Sequence, residues 1–310
     1  MKRILFLQDL GIPREGVQEA IAGAGLEMEA AWEAPDQVEA PETIAAIVTV
    51  NVPVNATTLD WFPNARVVSV AFTGYDVVDL AACRERNVAV TNVPAYSTDS
   101  VAELALGLTL SLLRRIPEGD RTMRDGGWEM GGPGTELSGK KVGVIGTGAI
   151  GLRVAELFKA CRCELIGWSK TLRDEFKALG GEYRPLEELF STADVITVHV
   201  PLTGQTRWLI GRSLLERMKP TAILVNAARG PIVDQAALAE LLGEGRIGGA
   251  AIDVFDPEPL PAEHPLRSAP HTVLMPHQAY RTGEALVRRA RVAMGNIKAF
   301  LGGGRENRVD

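Results

Sequence analysis

The stretch 141–160, KVGVIGTGAIGLRVAELFKA, decides the fold. The apolar run before Gly146 predicts a buried strand, and the apolar spacing after Ala149 predicts a helix. Between them stand Gly146, Gly148 and Gly151, in the order Gly-x-Gly-x-x-Gly. In a strand–loop–helix setting each glycine has its own reason. The first permits a tight turn, the second lets backbone approach a pyrophosphate, and the third lets helix and strand pack closely. The helix start at Ala149 and Ile150 then faces the phosphate charge. A second strand at 164–168 completes the unit. The pattern predicts a dinucleotide site; a glycine turn with a purely structural task is the alternative.

Outward from this loop, short β-branched runs alternate with helical patterns. Strands are expected at 3–7, 44–50, 67–70, 88–91, 142–145, 164–168, 195–198, 222–225, 250–254 and 272–275. That alternation predicts an α/β fold of parallel sheets with helices on both faces. At 310 residues the chain exceeds one ordinary core, so two domains are expected. The run 97–113 predicts one long helix, apolar nearly all round, capped by Ser97 or Thr98 and suited to packing against a second subunit. Residues 117–138, glycine-rich with an isolated Trp128, read as an extended arm or as a mobile loop. A last helix is expected at 283–301, returning the chain to the first domain, with order ending at Gly302-Gly303-Gly304. The expected boundaries are 1–97 with 282–310 for one domain, and 98–281 for the dinucleotide-binding one.

Composition narrows the function. Hydrophobic residues at 46% and charged residues at 23% are ordinary for a soluble globular chain. A net charge of -6 argues against nucleic acid as the main partner. No apolar run is long enough to span a bilayer, and the start of the chain reads as a first strand, not a leader. Cys83, Cys161 and Cys163 are odd in number and lack ligand-spaced histidines. They read as free thiols in a reducing cytoplasm, with no metal site.

The strand at 164–168 ends in Trp168-Ser169-Lys170-Thr171, without the acid that usually meets the adenosine ribose. Ser169, Lys170 and Thr171 suit a ribose 2′-phosphate, which favours NADP(H) over NAD(H). The other reading leaves Lys170 as a solvated charge and gives the ribose to Ser169 or to backbone. Further along, Arg229, Glu258 and His277 each stand near a strand end. Arg229, beside the small pair Ala227-Ala228, can grip a carboxylate at two points; a surface or helix-capping arginine is the bland alternative. Glu258, between Pro257 and Pro259, is available to pair with His277 and so fix its charge and orientation. His277 then exchanges a proton with a keto oxygen while a nicotinamide exchanges hydride with its carbon. His199 follows a strand and faces either the cofactor or a packed interior.

Seven ordered motifs carry a family resemblance over essentially the whole chain. They are residues 88–94, VAVTNVP; 97–103, STDSVAE; the 146–151 loop; 199–203, HVPLT, with Thr206; 226–230, NAARG; 253–259, DVFDPEP; and Pro276-His277. The chain resembles the D-isomer-specific 2-hydroxyacid dehydrogenases. The resemblance implies a flavodoxin-like substrate domain around an inserted Rossmann domain, usually a homodimer through the interdomain helix and the arm after it. It implies Arg229, Glu258 and His277 as catalytic residues. It places cofactor contacts at Val101, the glycine loop, 169–171, His199, Val200, Pro201, Thr206, Ala227, Ala228, Arg229, Asp253, His277 and Ala279. Asp253 is to meet the nicotinamide carboxamide. Asn51 and the backbone of Phe72-Thr73-Gly74, with Arg229 and His277, are to hold the substrate. The chain departs from many relatives at Gln278, Tyr280 and Arg281, where small residues are common, so the pocket's polarity is its own. The segment 168–171 looks like that of NADPH-dependent glyoxylate and hydroxypyruvate reductases. The expected reaction is therefore reduction of a small 2-keto acid to a D-2-hydroxy acid. A formate or phosphite dehydrogenase is an alternative, with Thr73 standing where phosphite-oxidising relatives place a lysine. A cofactor-sensing scaffold without turnover is another.

Overall fold

The computed structural model describes residues 1–310. The chain divides into two compact units, residues 1–97 with 281–310, and residues 98–280.

The first unit opens with β1 (Arg3–Phe6), α1 (Arg14–Gly23), β2 (Glu29–Ala31), β3 (Ile44–Thr49), α2 (Ala56–Asp60), β4 (Val67–Val70), α3 (Leu80–Glu85) and β5 (Ala89–Thr91). Its strands are all parallel, in the order β2-β1-β3-β4-β5, which is the flavodoxin-like arrangement. The continuous apolar runs of β3 and β4 are fully buried, as both faces of a parallel sheet require. Leu5, Ile47, Leu59, Phe62, Val68 and Val90 form the core on one face.

The second unit begins with α4 (Thr98–Leu113) and α5 (Ile116–Arg124). The nucleotide-binding alternation follows: β6 (Lys141–Ile145), α6 (Ala149–Ala160), β7 (Glu164–Trp168), α7 (Asp174–Ala178), β8 (Glu182–Tyr183), α8 (Leu186–Thr192) and β9 (Val195–Val198). Then come α9 (Arg212–Leu215), β10 (Ile223–Asn226), α10 (Gln235–Gly243), β11 (Gly249–Ile252) and β12 (Thr272–Leu274). Seven parallel strands lie in the order β12-β11-β10-β9-β6-β7-β8. The chain reverses direction across the sheet between β6 and β9. That switch point leaves a crevice at the carboxyl ends of the strands, where α/β sheets bind ligands. Two cores cover the faces, one around Ile196, Leu224, Leu238 and Ile252, the other around Val144, Phe158, Val195 and Val225. The last helix, α11 (Gly283–Leu301), belongs to the first unit, where it packs on β4; Ser69 Oγ donates to the Ala293 carbonyl at 3.2 Å.

Four local expectations are corrected. The strands β2 and β8 were invisible because three and two residues carry no readable alternation. Helix α4 is not buried all round: Val101, Ala105 and Leu108 are covered, while Glu103 and Gly107 face solvent and Leu104, Leu106, Leu110 and Leu112 are half-covered. The arm begins as the helix α5 and becomes irregular only after it. Order does not stop at the triple glycine. Residues 305–310 turn back and run antiparallel to β5, with Val309 N–H donating to Val90 O and Val90 N–H to Asp310 Oδ1.

Candidate active site

The second unit's strands deliver the expected catalytic residues, and the expected nucleotide residues other than Val101 on α4, to one edge. Reading across the sheet, His277 follows β12, Asp253 and Glu258 follow β11, and residues 227–229 follow β10. His199, Val200 and Pro201 follow β9, the glycine loop follows β6, and residues 169–171 follow β7. The expected reacting groups therefore lie on one side of the crevice and the expected ribose-reading loop on the other.

The glycine loop fits a dinucleotide. Gly146 sits at φ +94°, and a Cβ there would lie 2.8 Å from the His199 carbonyl group. A Cβ on Gly151 would lie 1.8 Å from the Gly146 oxygen. Gly148 is different. It caps α6 without any side-chain bond, and a Cβ on it would meet nothing within 4 Å. No side chain caps this twelve-residue helix, and the room beside Gly148 would let a phosphate approach its N–H groups and dipole. Tyr183 braces this region: its hydroxyl bonds Thr147 Oγ1 at 2.7 Å and accepts from Arg173 N at 2.9 Å. Lys170 is exposed, with Nζ 3.4 Å from Gln205 Oε1.

Around the remaining nucleotide positions, Val101, Val200 and Ala279 are buried. Thr206 is occupied in shaping its own loop, donating to Pro201 O at 2.6 Å and accepting from Thr203 N at 2.7 Å. His199 Nε2 shares a 2.7 Å bond with the buried Thr197 hydroxyl. Burial pushes its pKa down to about 3, so it is a neutral imidazole at pH 7.

The reacting groups are built from three consecutive strand ends. Asn226, fully buried at the end of β10, accepts from Ala228 N and donates to Arg229 O, both at 3.0 Å, and so folds the loop that carries Arg229. Gly230 must be glycine, because a Cβ would lie 2.1 Å from the Phe255 carbonyl. Gln235 steadies the next loop by donating to Val254 O at 2.9 Å. Glu258 then divides its two oxygens: Oε1 accepts from Phe255 N at 2.9 Å and Oε2 meets His277 Nδ1 at 2.8 Å. Burial alone would raise this carboxyl. The His277 and Phe255 bonds, with the charges of His277 and Arg229, outweigh burial and hold it below the ordinary carboxylate range.

His277 is held in the left-handed region, at φ +55°. Asp253 makes that turn possible. Its carbonyl accepts from His277 N at 2.7 Å, and its two carboxylate oxygens accept from Gln278 N and Ala279 N at 2.8 and 2.9 Å. Burial raises the Asp253 carboxyl against these bonds. Asp253 thus shapes the turn that carries His277, a task its sequence position alone did not reveal. Tyr280 adds an edge-on ring contact to His277, 5.9 Å between centroids. The positioning roles of Asn226, Gln235 and Tyr183 were likewise missed; only Asn226, directly before the small pair Ala227-Ala228, left a local signal.

In the first unit, Phe72-Thr73-Gly74 forms the bend after β4. Gln8 Oε1 accepts from both Asn51 N and Val52 N at 3.0 Å, so a substrate role for Asn51 rests on its side chain. Cys83, Cys161 and Cys163 are free thiols, and burial pushes Cys83 and Cys163 up to about 11.

A glycine-loop helix start that fits a phosphate, a carboxylate-paired histidine and an arginine on one sheet edge suit a nicotinamide-dependent oxidoreductase. Residues 106–279 match the NAD-binding domain of the D-isomer specific 2-hydroxyacid dehydrogenases, and the chain belongs to that family. It is 43% identical over 250 residues to a glyoxylate reductase of Aeropyrum pernix, covering 78% of this chain and 75% of that one. It is 37% identical to a glyoxylate/hydroxypyruvate reductase A of Arabidopsis thaliana, covering 88% of each. Among solved structures, the apo D-lactate dehydrogenase of Escherichia coli superposes with a TM-score of 0.88 at 28% identity over 100% of both chains.

Proposed function

We propose that the chain reduces a small 2-keto acid of the glyoxylate or hydroxypyruvate type to its D-2-hydroxy acid, with NADPH favoured over NADH. The observation that carries the reading is the 2.8 Å bond between His277 Nδ1 and Glu258 Oε2. It holds the ring through Nδ1, and Nε2 is the nitrogen assigned to exchange a proton with the substrate oxygen. The nicotinamide, when bound, supplies the hydride. Glu258 stabilises the charged ring that gives up the proton and keeps its orientation. Arg229 is assigned to the substrate carboxylate and to the polarised carbonyl beside it. In the first unit, the Thr73 and Gly74 amides are assigned to carboxylate binding. Glyoxylate and hydroxypyruvate follow from the relatives' names and from the small residues Ala227 and Ala228.

The NADPH preference rests on Lys170 at the end of β7 and on the lack of a carboxylate there to repel a 2′-phosphate. A homodimer is proposed from the half-covered leucines of α4 together with Ile116, Met123 and Trp128, which are 53%, 56% and 83% exposed on the segment that follows. No helix is long and apolar enough to cross a membrane; the cytoplasm is proposed from the three free thiols.

Initial rates with glyoxylate, hydroxypyruvate, pyruvate and phenylpyruvate, each with NADPH and NADH, test the reading. Turnover of a short keto acid, faster with NADPH, is the expected result. A protein that binds dinucleotide but turns over none of the four would refute it.

A further inference from the structure

We propose that Asn92, Asn296 and Asn307 are positioning residues for the substrate carboxylate, acting through the backbone of Phe72-Thr73-Gly74. The inference rests on the assignment of that loop to the substrate.

The three residues form a closed ring within the first unit, Asn92 through its backbone, Asn296 through its side-chain amide and Asn307 through both. Asn92, just past β5, donates its backbone N–H to Asn307 O at 3.0 Å. Asn307 Nδ2 donates to Asn296 Oδ1 at 2.8 Å, and Asn296 Nδ2, on α11, donates to Asn92 O at 2.7 Å. Asn92 and Asn296 are only 9% and 3% exposed. Every bond in the ring is a distinct N–H to oxygen contact, so each amide has one orientation that satisfies it. Asn307 adopts φ +53°, a left-handed backbone that asparagine tolerates better than most residues.

The ring has one outlet. Asn92 Nδ2, its remaining donor, bonds Thr73 O at 2.7 Å. Val93 N, the next residue along, bonds Phe72 O at 3.0 Å, and Thr73 Oγ1 donates back to Val93 O at 3.1 Å. The carbonyls of Phe72 and Thr73 are therefore both fixed. Because a trans peptide is planar, its carbonyl and the following N–H point in opposite directions. Fixing Phe72 O aims Thr73 N–H, and fixing Thr73 O aims Gly74 N–H. Both N–H groups are left without a protein acceptor, side by side on a bend after the sheet's carboxyl edge. Two adjacent, aimed and unspent donors form an anion cradle. The ring orders that cradle before any ligand arrives, which reduces the entropy lost on binding. It also ties the cradle to the chain's last residues.

The test uses the full chain with Asn307→Gly, which keeps the left-handed backbone and deletes only the amide, and with Asn296→Ala. KM for glyoxylate and Ki for oxamate are expected to rise roughly threefold to tenfold per lost buried bond. The proposal expects kcat and NADPH affinity to stay near those of the parent, the pattern of lost uniform binding. An Ile21→Val variant, which thins the core under α1, supplies a control of lowered Tm without a raised KM. Gly74→Pro deletes one of the aimed donors. If Gly74→Pro leaves KM unchanged, the loop does not hold the substrate and the proposal falls with that assignment. If Gly74→Pro raises KM while both asparagine variants match the parent, the assignment stands and the brace is refuted. An equal rise in KM for Ile21→Val would also refute it, since general loosening would then suffice.

Discussion

Replacing Glu258 with glutamine tests the reacting geometry most directly, because the structure sets two donors against one carboxylate. Phe255 N–H and His277 Nδ1–H each use a different oxygen of Glu258, at 2.9 and 2.8 Å. Glutamine offers a single oxygen. If that oxygen serves Phe255, the amide NH2 faces His277 Nδ1, which must then accept. The ring is driven into the neutral tautomer with its proton on Nε2, and giving that proton away would leave an imidazolate. If the oxygen serves His277 instead, the Phe255 N–H loses its partner and the ring loses its counter-charge. Either way one bond to a charged group is lost, worth about 1.5–3 kcal/mol. At 1.36 kcal/mol per tenfold this predicts that kcat for keto-acid reduction falls about 10- to 150-fold. Steady-state rates between pH 6 and 8 give the number. NADPH titration by nucleotide fluorescence is expected to give unchanged affinity, since Glu258 touches none of the phosphate loop. A Glu258→Gln enzyme that keeps more than half of its kcat across that range would show that the carboxylate does not govern His277.

Gly151→Ala places a Cβ 1.8 Å from the Gly146 oxygen, so the cost reaches or exceeds about 3 kcal/mol, the upper end of overpacking; a melt and a NADPH titration both unchanged would contradict it. Lys170→Asp is expected to lower the ratio of NADPH to NADH efficiency by about tenfold or more, the worth of one charge-assisted bond, and an unmoved ratio would return the ribose to Ser169 and backbone. Asp194 is a pH marker. Burial would raise its carboxyl, but Lys141 N and Lys219 Nζ, at 2.8 and 2.9 Å, hold it below the ordinary value. Its stabilisation is then complete above the unfolded value near 3.9 and disappears as pH falls through the lower folded value. Asp194→Asn is expected to melt earlier than the parent at pH 6, and a gap that did not narrow as pH fell below the unfolded value would reject the account.

The positions of Arg229, Glu258 and His277 were legible because strand-end residues in parallel sheets inherit their place from periodicity, and periodicity is local. The Gly146–Gly151 spacing was legible for the same reason. What surrounds them was not. Asp253 holds a turn 25 residues away, and Tyr183 reaches 36 residues back to Thr147; neither separation leaves a pattern in sequence. Gln8 closing over Asn51 is a contact across 43 residues. The 305–310 segment was misread because three glycines signal flexibility, while pairing with β5 depends on a strand more than 200 residues earlier. Helix α4 was misjudged in the other direction: its composition predicts burial, but burial by which surface is not written in the helix itself.

The two units are made in an unequal order. Residues 98–280 form one uninterrupted stretch, whereas the first unit needs α11, made last, to cover β4. During synthesis the nucleotide-binding unit can therefore close while β1–β5 still wait for their final layer. The earliest part of the chain is the latest to mature, and its parallel strands are the ones left to chaperones and proteases in the interval. A chain stopped at residue 280 is expected to protect 98–280 from limited proteolysis and to lose 1–97; protection of both halves would show that the first sheet matures without its closing helix.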